Sequence, residues 1–101
     1  MAGFHARHPL RVRAGLPVRL YVATFVADPP VTTFHLHART FDVFRDGTRR
    51  APDAQTDAVA LTLGERAILE TTFPEPGRHM FHPHQPAMAE HGAMGWIAVL
   101  P

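Results

Sequence analysis

Cysteine is absent from this chain. That excludes disulfides, thiolate nucleophiles and every metal site that needs a sulfur anion. Lysine is absent as well, so all ten basic side chains are arginines. They are scattered rather than striped along one face, and a formal net charge of +1 lacks the basic excess of a nucleic-acid binder. No stretch approaches the roughly 20 apolar residues of a membrane-spanning helix. The opening Met1-Ala2-Gly3-Phe4-His5 also lacks the apolar run of a signal segment. Disorder is excluded in turn, because 46% hydrophobic and 19% charged residues are ordinary globular proportions. The 101 residues are read as one domain spanning 1–101, with a modest core. The short run ahead of the first strand suggests an N-terminally truncated piece of a larger protein.

Histidine is what the chain has in excess: eight in all. Two His-x-His pairs stand out, in Thr33-Phe34-His35-Leu36-His37 and in Arg78-His79-Met80-Phe81-His82-Pro83-His84-Gln85. Side chains of a β-strand alternate between its faces, so both histidines of a pair project the same way. Two such strands side by side bring four imidazoles to one patch. Imidazole suits copper, zinc, iron and nickel, so the patch reads as a transition-metal site. The bland alternative is surface histidines with ordinary hydrogen bonds.

The remaining sequence reads as scaffold. Alternation and β-branched or aromatic content place strands at 8–15, 17–26, 31–37, 41–44, 57–63, 66–73, 78–84 and 94–100. Between them, Asp28-Pro29-Pro30, Asp46-Gly47, Gly64-Glu65 and Pro74-Glu75-Pro76-Gly77 are turn signals, and the polar stretch 48–56 reads as a loop. Many short strands with regular punctuation specify an all-β, antiparallel β-sandwich. Phe34 and Leu36 are the natural core pair of their strand and Phe81 plays that part in the other, which sends the paired histidines outward.

These segments, taken in order, resemble the cupredoxin-like domains of the multicopper oxidases. The likeness runs through His8-Pro9-Leu10-Arg11-Val12-Arg13-Ala14-Gly15, Phe34-His35-Leu36-His37 and Gly64-Glu65-Arg66-Ala67-Ile68-Leu69-Glu70. It continues through Pro76-Gly77-Arg78-His79-Met80-Phe81-His82-Pro83-His84 and Met94-Gly95, and is nearest to the C-terminal domain of two-domain or nitrite-reductase-like members. The resemblance implies a Greek-key sandwich and a periplasmic or extracellular setting. It implies copper as cofactor, held by His35, His37, His82 and His84 as this domain's share of a trinuclear cluster. A second cupredoxin domain or subunit, in a homo- or hetero-oligomer, would supply the remaining ligands. The assembled enzyme would reduce dioxygen at the expense of a small reducing substrate. Asp57 stands where the family often has Thr-Asp, as a carboxylate that orients imidazoles or relays protons; a plain strand-edge aspartate is the alternative.

One departure matters. The family's electron-accepting blue site has His-Cys-His, and here the middle residue is Pro83. A blue site requires the thiolate, so the chain alone is expected to be inactive as an oxidase. The rival reading is a non-enzymatic copper-binding or copper-handling β-sandwich module. Two others are an interaction domain with vestigial ligands and a structural zinc site on the same histidines. Beyond the pairs, His5 and His8 read as bystanders, His79 as a non-ligand on the opposite face and His91 as exposed. Met80 reads as core or gap filling and Met94 as packing in the core with Trp96, while Met88 is a candidate thioether ligand.

Overall fold

Two sheets close over one apolar layer in the computed structural model of the chain, which describes residues 4–24, 31–48, 50–84 and 94–101. A short helix, α1 (Phe4–Arg7), leads into β1 (Leu10–Arg13), β2 (Pro17–Ala23), β3 (Val31–Leu36) and β4 (Phe41–Phe44). The chain continues through β5 (Ala54–Thr56), β6 (Ala58–Thr62), β7 (Arg66–Thr72), β8 (Gly77–His82) and β9 (Gly95–Leu100). One sheet has the order β1-β9-β8-β3-β6 and the other β2-β7-β4-β5. No helix among the described residues is long and apolar enough to cross a membrane.

Alternation decides which residues fill the layer between the sheets. From the first sheet come Leu36, Val59, Leu61, Ile97 and Val99, and from the second Phe41, Val43, Ala67 and Leu69, all buried. Phe73, just past β7, is fully covered. Phe34 and Phe81 pack against this cluster and stack on each other, ring centroids 5.4 Å apart. The expected inward roles of Phe34, Leu36 and Phe81 therefore hold. The arginines of the early strands face outward, and Arg19 pairs with Glu70 across the β2–β7 ladder at 2.9 Å.

Three expectations need correction. The 48–56 stretch is not all loop, because Ala54–Thr56 forms β5 and pairs with β4. This edge strand buries almost nothing, so it carries no hydrophobic alternation to read. Asp46-Gly47 lies inside the longer connection between β4 and β5, where Asp46 Oδ1 accepts hydrogen bonds from the Thr48 amide and hydroxyl at 2.9 Å. The sandwich is also not wholly antiparallel, since β1 runs parallel to β9, Leu10 opposite Ile97. Its two partners sit at opposite ends of the chain, so no turn sequence could announce the pairing.

Trp96 is not a core residue either. It lies on the outer face opposite Met80, under the Arg78 guanidinium at 5.0 Å from the ring centroid. The inward positions of β9 are Gly95, Ile97 and Val99, all buried, and Met94 is half-buried. Met88, read as a candidate thioether ligand, and His91, read as exposed, lie outside the described residues.

Gly95 is inward-facing where α1 crosses the sheet. A Cβ there would meet the Phe81 ring and lie 2.6 Å from the His5 Cβ. Gly95→Ala should therefore cost about 1–3 kcal/mol through overpacking. Gly47→Ala, with only Ile68 Cδ1 at 4.0 Å, should stay within about 1 kcal/mol of the parent. Urea melts of the two variants check the contrast.

Candidate metal centre

The site forms where β3 and β8 pair. Only two registers join these strands, His35 opposite His82 and Leu36 opposite Phe81. Leu36 and Phe81 turn into the sandwich, so His35 and His82 must turn out of it on the same face. Two residues on from His35, His37 keeps that face as the strand ends in a turn. His84 follows the buried Pro83 and is tied to β3 by its amide, which donates to Thr33 Oγ1 at 2.6 Å.

The four rings crowd together. Ring centroids lie 5.1 Å apart for His35 and His37, 4.9 Å for His37 and His82, and 4.8 Å for His35 and His84. One nitrogen from each of His35, His37 and His82 falls within a group no more than 4.8 Å across. His84 stands beside that group, 6.1 Å from His82 between centroids.

Main-chain carbonyls set the protonation of two rings. His35 Nδ1 donates to the Asp57 carbonyl oxygen at 2.8 Å, and His82 Nδ1 donates to that of Pro83 at 2.7 Å. A carbonyl only accepts, so in each neutral ring the proton sits on Nδ1 and Nε2 keeps its lone pair. Both rings thus present Nε2 as a lone-pair donor on the outward face. The contact of Asp57 with the site is made by its main chain, and its exposed carboxylate makes no hydrogen bond to a ring among the described residues. This carbonyl also accepts the Leu36 amide at 3.1 Å, so it ties β3 to the start of β6.

His37 differs. Its Nε2 lies 2.8 Å from His82 Nε2. Since the His82 nitrogen carries a lone pair, His37 donates. That proton must leave before both nitrogens can face one cation. The exposed His37 ring can take it up on Nδ1 instead. The turn that carries this ring passes through Ala38, whose φ of 62° is left-handed. For a residue with a Cβ that conformation costs about 1–2 kcal/mol, and local strain of this kind gathers at functional sites.

The donor set fits copper. It consists of imidazoles, with no carboxylate in the nitrogen group among the described residues. Imidazole nitrogens are donors that suit copper.

Comparison with known proteins agrees with this chemistry. Residues 2–101 match the multicopper oxidase family model. The chain belongs to the multicopper oxidase family. A 69-residue stretch is 36% identical to multicopper oxidase mco of Staphylococcus epidermidis, covering 65% of this chain and 15% of that protein. The Staphylococcus aureus counterpart is 35% identical over the same share. A solved multicopper oxidase, 33% identical, superposes with a TM-score of 0.94 over 99% of this chain and 35% of its own. The copper-containing nitrite reductase NirK of Thermus scotoductus SA-01 shares the fold, with a TM-score of 0.85 over 98% of this chain and 24% of that one at 19% identity. The multicopper oxidase match thus spans only a small part of its curated relatives. Copper is the metal of the family.

Desolvation lowers the His37 pKa below its ordinary 6.5, and the neighbouring His82 and His35 push the same way. An unfolded His37 titrates near 6.5, so below that pH the unfolded chain binds the extra proton first. Stability from this site is therefore full above pH 6.5 and is lost as pH falls through the folded value. NMR titration of the copper-free chain should give His37 a midpoint below 6.5.

Proposed function

We propose that this chain is a cupredoxin domain that contributes His35, His37, His82 and His84 to a copper cluster shared with a second cupredoxin domain or subunit. The assembled enzyme would be an oxidase that reduces dioxygen with electrons taken singly from a small substrate. On this reading the chain occupies the C-terminal place in a two-domain, nitrite-reductase-like arrangement. The observation that carries the proposal is the meeting of both His-x-His pairs on one outward face, with Nε2 lone pairs of two rings preset by carbonyl bonds.

The bound copper would supply one-electron chemistry that no side chain here can perform. The protein's share is structural. The β3–β8 ladder holds the two pairs at fixed separation, and the Asp57 and Pro83 carbonyls keep two rings in the coordinating tautomer. The lowered His37 pKa keeps that ring neutral near pH 7. The outward aim leaves the far side of the site open to a partner. Four imidazoles are too few for three coppers, which is why the site needs another domain.

The absence of cysteine favours one further reading, a copper-handling module with no oxidase role. Metal analysis after gel filtration, with paramagnetic spectra, separates the two. The chain alone should bind fewer than three coppers, in labile form, and show no intense blue band. Adding a family domain that carries His-Cys-His should raise the stoichiometry and slow copper loss. Three tightly held coppers on the monomer would refute the shared cluster.

The double variant His35→Ala/His82→Ala should abolish copper binding. Each substitution removes one hydrogen bond to a carbonyl, worth about 1 kcal/mol, so the copper-free fold should survive. Calorimetry with and without copper reads both effects.

A further inference from the structure

His79 lies outside the outward group. On β8 it shares the inward face with Phe81, and its ring packs on the fully buried Phe73, centroids 4.7 Å apart. Across the strand gap, His79 Nδ1 donates to the main-chain carbonyl of His37 at 3.1 Å. The same residue is held a second time, since the His37 amide donates to the Met80 carbonyl at 3.0 Å. The next residue is Ala38, in its left-handed conformation.

His37 needs this support. The rings of His35 and His82 are each anchored by their own Nδ1 bond to a carbonyl. The ring of His37 has no such main-chain anchor among the described residues, and it is exposed, so packing does not fix it. Its one ring bond, to His82 Nε2, must be given up when both nitrogens turn to a cation, and its aim then depends on the backbone that carries it. That backbone is gripped by β8 on both sides of the residue, and one of the two grips is a side chain.

We propose that His79 is a positioning residue for the copper site: braced on Phe73, it clamps the His37 carbonyl and so fixes the left-handed turn that aims His37 at His82. This rests on the reading that His37 is a copper ligand. The sandwich interior is thereby linked to the metal site through one hydrogen bond.

Two measurements test it. Long-range proton–nitrogen NMR on the copper-free parent chain should show His79 as the Nδ1–H tautomer; the Nε2–H tautomer overturns the proposal, whatever any variant does. His79→Phe keeps an aromatic ring on Phe73 but has no N–H. It should melt within a few degrees of the parent, yet bind copper about ten-fold or more weakly, as when a ligand loses its supporting bond. Its paramagnetic copper spectrum should also change. His79→Asn places an amide N–H near the lost Nδ1 and should recover part of the affinity. Parent affinity and spectrum in His79→Phe overturn the proposal, and so does His79→Asn binding no better than His79→Phe. If the parent itself takes up no copper, the copper reading falls, and the tautomer alone decides whether the clamp exists.

Discussion

Two residue pairs where β3 meets β8 govern the rest of the structure. Leu36 opposite Phe81 belongs to the core, and His35 opposite His82 belongs to the site. They are consecutive positions of one ladder. A slip of one residue would turn the histidines into the apolar layer and expose Leu36, which is fully buried. The burial of Leu36 and Phe81 is therefore also what orients the imidazoles. Hydrophobic packing supplies the energy for that register, and the histidines add little to it.

The site is built on rigid backbone rather than on long side chains. Carbonyl oxygens of Asp57 and Pro83 each hold a ring, and both belong to segments anchored by the sheet. Pro83, in the middle of the second His-x-His pair, is not idle. Its ring is buried beneath the site, its fixed φ stiffens the strand end, and its carbonyl serves the neighbouring imidazole. A proton on His37 is opposed by desolvation first and then by the neighbouring His82 and His35.

Much of this was legible in the sequence because period-two alternation determines both core and site. Phe34, Leu36 and Phe81 point inward and the pairs point outward as the pattern demands. What escaped the sequence had other causes. Side-chain identities say nothing about main-chain acceptors, so the carbonyls of Asp57 and Pro83 were invisible, and Asp57 drew notice for its carboxylate instead. His79 falls on the inward face by the same alternation, but its bond to His37 depends on how closely two strands approach. Trp96 was misplaced because a large aromatic residue suggests core, while the alternation of β9 gave the inward positions to Gly95, Ile97 and Val99. The strand β5 and the parallel pairing of β1 with β9 carry no local signal at all.

That parallel pairing has a consequence for how the molecule comes into being. Leu10 and Ile97 are 87 positions apart (97 − 10), yet they are neighbours in the sheet. Ribosomal synthesis delivers β3 with its histidines first, β8 much later and β9 after that. Until β9 emerges, β8 lacks the partner on one side that would hold it, and β1 waits with an open edge. Sequence-distant pairings of this kind slow folding. A nascent chain thus displays His35 and His37 well before His82 and His84 are in place. On the proposed assignment, copper ions reaching it early would find only two of the four rings, so orderly maturation would favour metal delivery after β8 and β9 have joined the sheet.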